Sequence, residues 1–213
     1  MKKLSIVIPI FNEQESLEKT IHQMEELLSS YDFDIDIIIV NDCCTDGCDA
    51  ILDGVNNPSI KILNHAVNRG YGAAIKTGIA KSSAPYICIT DADNTYSIQD
   101  LKKLTEYIED GYSMIVGART GNLVKMPLLR KFPKWMLNKL ANYLTGYTIP
   151  DINSGLRIMK KEDVERYIKI LPNGFSFTTT ITLAMLTNDM PVYFLPINYY
   201  HRKGKSKIRP FYD

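Results

Sequence analysis

Tyr86-Ile87-Cys88-Ile89-Thr90-Asp91-Ala92-Asp93-Asn94 joins a run of apolar residues directly to two carboxylates. Its first five residues predict a buried strand, because the apolar side chains fall together without helical spacing. If the strand persisted through Asp91 and Asp93, alternation would turn both carboxylates to one side. Two carboxylates at the carboxyl end of a parallel strand make a hard oxygen site, suited to Mg²⁺ or Mn²⁺ shared with a phosphate. Ligands of open α/β sheets bind at that end of the strands. The plain alternative is a solvated turn, where Asp and Asn are common.

Upstream of this stretch, residues 4–8 predict a first buried strand that Pro9 stops, since proline brings no backbone donor. Asn12 is expected to cap the next helix, with Glu15 in the capping-box position. Leu17, Ile21, Met24 and Leu28 form one stripe of that helix. No glycine-rich turn follows the first strand, which counts against a dinucleotide-binding Rossmann unit. Residues 35–40 predict a second strand, ending in Asn41-Asp42-Cys43-Cys44-Thr45-Asp46-Gly47. Asp42 stands where a carboxylate can accept from a base or ribose, or can simply shape the turn. Asp46 is expected to cap the following helix.

Residues 60–63 predict a third strand, and Asn68-Arg69-Gly70-Tyr71-Gly72 opens another helix. The third glycine of a phosphate loop is missing, so that signal is weak. Gly70 is read as admitting a ligand closely, and Arg69 as a candidate base or phosphate contact. No P-loop pattern occurs. Downstream come a helix near 98–108 and a strand over 113–117, with Arg119 just past its end. Strands alternating with helices predict a mostly parallel sheet covered on both faces.

The chain has 213 residues and 45% hydrophobic content, enough for one large domain with its own core. Its formal charge of +1 does not suggest a general nucleic-acid binder. No apolar run approaches the roughly 20 residues that span a bilayer. The N-terminus enters a strand pattern at once, so no signal peptide is expected. Cys43, Cys44, Cys48 and Cys88 lack the paired spacing of a zinc site, and a reduced, cytoplasmic setting is expected.

The charge is unevenly placed. Residues 111–150 contain no Asp or Glu but carry Arg119, Lys125, Arg130, Lys131, Lys134 and Lys139, interleaved with Met126, Leu128, Phe132, Trp135 and Tyr143. A basic, aromatic-bearing amphipathic segment suits an anionic membrane surface. It equally suits a helix that packs Trp135 inward and leaves its lysines in water. Nucleic acid is a third option without a fold signature. Beyond it, Asp151-Ile152-Asn153-Ser154-Gly155-Leu156-Arg157 gathers a carboxylate, an amide, a hydroxyl and a guanidinium. Residues 192–197 predict a last strand, which delivers Tyr199-Tyr200-His201-Arg202-Lys203-Gly204-Lys205-Ser206-Lys207-Ile208-Arg209. That tail reads as a mobile phosphate clamp or as a frayed basic terminus.

Taken in order, Val7-Ile8-Pro9-Ile10-Phe11-Asn12-Glu13, Asn41-Asp42, Asn68-Arg69-Gly70, Asp91-Ala92-Asp93, Asn153-Ser154-Gly155-Leu156-Arg157 and Gly204-Lys205-Ser206-Lys207 resemble the family 2 inverting glycosyltransferases of GT-A fold. Within that family the chain looks like the polyprenyl-phosphate, dolichyl-phosphate mannose synthase-like branch. The resemblance runs through nearly the whole chain. It implies a single domain over 1–213, with a nucleotide-binding half over 1–118 and an acceptor and membrane-facing half over 119–213. It implies that Pro9, Phe11, Glu13, Val40, Asp42, Arg69, Gly70 and Ala92 serve the nucleotide. Asp91 and Asp93 would serve the ribose, diphosphate and metal, Mg²⁺ or Mn²⁺. Arg119 would contact the donor phosphates or the acceptor. Asp151, Asn153, Ser154 and Arg130 would line the acceptor side, with Arg157 supporting that loop. His201, Arg202 and Lys207 would close over the diphosphate. Two departures stand out: the family's Asp-Asp-Gly-Ser turn is Asn41-Asp42-Cys43-Cys44, and the tail arginine stands closer to its glycine.

The implied reaction moves a hexose from GDP or UDP to a polyprenyl or dolichyl phosphate with inversion at the anomeric carbon. A phosphate acceptor is already anionic and needs no general base; a hydroxyl acceptor would require one from Asp151. The alternatives are a family 2 transferase acting on a glycan or soluble hydroxyl, and a nucleotide-sugar-binding regulatory protein without turnover. The branch often continues into transmembrane helices after the tail, whereas this sequence stops at Asp213. Either it is part of a longer chain, or membrane contact comes from the basic segment and a membrane-protein partner.

Overall fold

The computed structural model describes residues 3–29, 34–121 and 131–200, with the backbone alone over 131–137. Seven strands form one sheet: β1 (Lys3–Ile10), β2 (Asp34–Asn41), β3 (Ile60–Asn64), β4 (Tyr86–Ile89), β5 (Met114–Ala118), β6 (Arg157–Lys160) and β7 (Val192–Pro196). Their order is β3-β2-β1-β4-β6-β5-β7. All neighbours are parallel except β6, which runs antiparallel to both β4 and β5. The seven helices of the described residues are α1 (Gln14–Ser29), α2 (Cys48–Asp53), α3 (Tyr71–Lys81), α4 (Ile98–Thr105), α5 (Lys131–Thr145), α6 (Lys161–Tyr167) and α7 (Phe177–Leu186).

The central strands are apolar on both faces, as parallel strands under two helical layers must be. On β1, Leu4, Ile6, Ile8 and Ile10 pack with Leu17, Ile21, Met24 and Leu27 of α1 and Leu101 and Leu104 of α4. On the other face, Val7 packs with Ile38 and Val40 of β2, with Ala74, Ile75 and Ile79 of α3, and with Phe177 and Ile181 of α7. Helices therefore cover both faces, as the alternation predicts. A small separate cluster of Ala141, Ile149, Ile152 and Leu186 seats α5.

Three local expectations are corrected. Pro9 does not stop β1, which pairs with β2 through Ile10 and Asn41. The missing N–H of Pro9 falls on the β4 side, where pairing with β1 has already ended at Ile89, so no ladder bond is lost. Asn12 does not cap α1. It adopts a φ of 54°, and its Oδ1 accepts from the Thr45 N–H at 2.6 Å. The first turn of α1 is capped from a distance, by Asp46 accepting from the Gln14 N–H at 3.0 Å. Asp46 also accepts from Cys48 N–H at the start of α2, also at 3.0 Å, as expected of it. Lastly, β4 ends at Ile89, so strand alternation does not orient Asp91 and Asp93.

Candidate active site

The bend after β4 sorts the two carboxylates into different surroundings. Asp93 is buried, and its Oδ1 accepts from both the N–H (3.1 Å) and the hydroxyl (2.6 Å) of Thr95. This local bond turns the loop where the strand stops. Asp91 stays half-buried, and its Oδ1 accepts from the Tyr71 hydroxyl at 3.0 Å. Gly155 lies against the other oxygen, where a Cβ would collide with it. Ala92 is buried, and its carbonyl accepts from Thr20 Oγ1 at 3.0 Å, anchoring the loop to α1. Oxygen donors of this charge and hardness fit a small divalent cation better than a soft one.

Asp42 closes the end of β2 and is 3% exposed. Its Oδ1 accepts from the Arg69 N–H (2.9 Å) and its Oδ2 from the Gly70 N–H (2.8 Å). His65 Nδ1 lies 2.6 Å from Oδ1, while its Nε2 lies 2.9 Å from Thr77 Oγ1. A carboxylate only accepts, so Nδ1 carries the proton here. Asp42 thus pins the Asn68–Gly70 loop, a role that sequence order alone does not reveal. Phe11 and Glu13 are half-buried just past the end of the neighbouring strand β1, and the Glu13 carbonyl starts α1 by accepting from Ser16 and Leu17. Val40 is fully buried under α3, so its side chain belongs to the core. Arg69 is exposed at this edge.

Gly70 does admit a close neighbour, but the neighbour is polypeptide. A Cβ there would come within 2.5 Å of the Asn173 carbonyl oxygen, and the φ of 95° suits only glycine. A Cβ on Gly72 would clash with the Pro172 carbonyl. The Asn173 carbonyl also accepts from the Ala73 N–H at 3.1 Å. The G-x-G therefore seats the loop preceding α7 on the first turn of α3.

The far side of the site is built on Arg119, which follows β5. Its Nε donates to Asp151 Oδ2 (2.6 Å) and its Nη2 to Asp151 Oδ1 (2.9 Å) and Asn153 Oδ1 (2.7 Å). The Arg119 backbone N–H also donates to Asp151 Oδ2 at 3.0 Å. The Asp151 side chain is fully buried and that of Arg119 is 13% exposed. The guanidinium carbon lies 5.1 Å from the centre of the Tyr199 ring, in cation–π range. Tyr199 in turn packs edge-on against Tyr96, and the Tyr200 N–H donates to the Thr95 carbonyl at 3.1 Å. The Tyr96 hydroxyl accepts from the Gly155 N–H at 2.8 Å.

Ser154 and Arg157 hold this loop from below. Ser154 is fully buried and donates to the Gly117 carbonyl at 2.6 Å, so its hydroxyl serves the scaffold. Arg157 is fully buried and donates to the carbonyls of Ser154 and Thr178 and to Thr182 Oγ1. Burial pulls its guanidinium down to about 10, which still leaves it charged at neutral pH.

The structure brings Cys44, Asp46 and Cys48 together, with ligand atoms within 4.8 Å of one another. This cluster was not foreseen from spacing. Burial raises both thiols above their ordinary range. Cys44 Sγ already accepts from the Asn12 N–H at 3.1 Å, and Asp46 caps two helices. The cluster serves as a clasp between the loops after β1 and β2.

Tyr71, Tyr96, His65 and Thr95 are site residues that the sequence reasoning missed: His65 and Tyr96 stand outside the quoted motifs, while Tyr71 sits at the variable position of the G-x-G and Thr95 just past the D-x-D, where residue type carries no signal. Arg130, His201, Arg202, Lys207 and the segment 122–130 lie outside the described residues, as do the side chains of Phe132 and Trp135.

Residues 5–168 match the family described as Glycosyl transferase family 2. The chain is 25% identical over 209 residues to the dolichyl-phosphate hexose transferase of Haloferax volcanii, covering 98% of this chain and 87% of that one. It is 31% identical over 192 residues to the undecaprenyl-phosphate 4-deoxy-4-formamido-L-arabinose transferase of Yersinia pestis strain Pestoides F, covering 84% of this chain. It spans only 58% of that relative's length. Among solved structures, glucosyl-3-phosphoglycerate synthase from Mycobacterium tuberculosis, in complex with Mn²⁺, UDP and glucosyl-3-phosphoglycerate, superposes with a TM-score of 0.72 at 16% identity. That likeness covers 96% of this chain and 73% of the other, and it identifies the fold as GT-A. Because the family match runs through well over half of the sequence, the chain belongs to glycosyl transferase family 2.

Proposed function

We propose that this protein transfers a hexose from a nucleotide-diphosphate donor to a polyprenyl phosphate at a membrane surface, inverting the anomeric carbon. The carrying observation is the state of Asp151, a fully buried carboxylate whose two oxygens are both bound by the largely buried Arg119. Accepting a proton there would sacrifice two charge-assisted hydrogen bonds. A hydroxyl acceptor would need that base; a phosphate monoester arrives as an anion and does not. Arg119 uses Nε and Nη2 toward Asp151 and Asn153, and its Nη1 would meet an acceptor phosphate oxygen. Dolichyl and undecaprenyl phosphates, named in the two relatives, are both polyprenyl phosphates.

On the donor side, Asp42 and the loop it pins, with Phe11 and Glu13, would hold the nucleoside. Asp91 and Asp93 would hold Mg²⁺ or Mn²⁺, which would stabilise the charge developing on the departing diphosphate. His201, Arg202 and Lys207 would add cationic contacts to that diphosphate. Arg119 and Asn153 would orient the acceptor for attack on the face opposite the leaving group, which gives inversion.

With purified protein, Mn²⁺ and a panel of nucleotide sugars, the expected result is transfer to a short polyprenyl phosphate. Transfer to a glycan or alcohol but never to the lipid phosphate would overturn the acceptor class. Donor binding with neither transfer nor hydrolysis would overturn the enzymatic reading.

No helix among the described residues is long and apolar enough to cross a membrane. A surface role is supported by α5, where Leu140, Tyr143 and Leu144 are 56%, 85% and 57% exposed, with Tyr147 just beyond at 47%. Their helical spacing puts apolar side chains and Lys139 in one exposed region. The protein is therefore expected to pellet with vesicles containing anionic lipid, and Tyr143→Ser with Leu144→Ser to weaken binding to them about thirtyfold, from about 1 kcal/mol of apolar burial lost per side chain. Equal pelleting of both proteins would remove α5 from the surface.

A further inference from the structure

The first turn of α3 stands between the two donor-side carboxylates. Its leading backbone serves Asp42, through the Arg69 and Gly70 N–H groups. Its first side chain serves Asp91, through the Tyr71 hydroxyl at 3.0 Å. Tyr71 is itself fixed from the other side. Its ring stacks on Phe175, with centroids 5.1 Å apart and planes inclined by 17°. Phe175 comes from the loop that Gly70 and Gly72 seat on α3.

A carboxylate turns easily about its last torsion, and a donor on one oxygen selects an orientation. Here the hydroxyl takes Oδ1, while the bare backbone of Gly155 lies against Oδ2. Building on the assignment of Asp91 as a ligand of the divalent cation, we propose that Tyr71 is a positioning residue that sets the orientation of the Asp91 carboxylate toward the metal. Tyr71 touches neither sugar nor phosphate in this role. Its action passes through Asp91, and its rigidity comes from Phe175. Partners of this kind, one bond removed from a metal, commonly account for about 10–100-fold in metal affinity.

The test is Tyr71→Phe, which keeps the stacked ring and removes only the hydroxyl. Mn²⁺ binding is followed by the electron paramagnetic resonance signal of the free ion, with UDP and with GDP present. The dissociation constant for Mn²⁺ is expected to rise about tenfold or more. The thermal midpoint of the metal-free protein, and nucleotide affinity measured in EDTA, should match the parent. Unchanged Mn²⁺ affinity overturns the proposal. So does a weakened affinity accompanied by a lowered midpoint, because Tyr71 would then be merely structural. Asp91→Ala is the companion variant: if Mn²⁺ binding survives it, the ligand assignment falls and the inference with it. If Mn²⁺ binding is lost in Asp91→Ala, the assignment stands and Tyr71→Phe alone decides.

Discussion

Asp151→Ala is expected to lower the unfolding free energy by about 3–5 kcal/mol, since it strands a largely buried guanidinium without its counter-charge. Arg119 gives Asp151 its backbone N–H, Nε and Nη2, so one substitution undoes three bonds. For a chain of this size the thermal midpoint should fall by roughly 10 °C, read by calorimetry or circular dichroism. The measurement separates two roles. A carboxylate kept for proton abstraction would leave stability near the parent value when removed. A midpoint within experimental error of the parent would show that the pair does not anchor the loop.

Losing the charge of Asp93 should reduce transfer by about a hundredfold or more, the scale for removing one preorganised electrostatic contact to a developing anion. Asp93→Asn is the cleaner variant. Its amide oxygen can still accept from the Thr95 N–H and hydroxyl, which hold the bend through Oδ1. The fold should therefore persist while kcat/KM for the donor collapses, and Asp91→Ala should behave likewise. Undiminished turnover in both variants at saturating Mn²⁺ would remove the cation from the D-x-D loop.

The sequence revealed most where side chains face a uniform environment. Strands β1 and β2 are apolar on both faces, so their runs announce a sheet covered on two sides. The motif residues also fell where ligands are expected, at the carboxyl ends of β1, β2, β4 and β5. What stayed hidden were pairings between distant residues. Arg119 and Asp151 were each legible, but nothing in a linear chain says that groups 32 residues apart will bind each other. Asn12 misled because a capping signature assumes extended backbone, whereas its φ of 54° sends the side chain to Thr45. Gly70 misled for a related reason: glycine announces that something approaches, and not whether it is a ligand or Asn173.

The antiparallel insertion of β6 also has a consequence for synthesis. Among the described residues, β5 and β7 are joined within the sheet to the first four strands only through Arg157–Lys160. A nascent chain that has not yet released those four residues carries β1 to β4 with a bare strand edge at β4. The strand bearing the D-x-D loop is thus the last of its group to gain a second neighbour. Emergence of β6 from the ribosome covers that edge, and the same event brings Gly155 against Asp91.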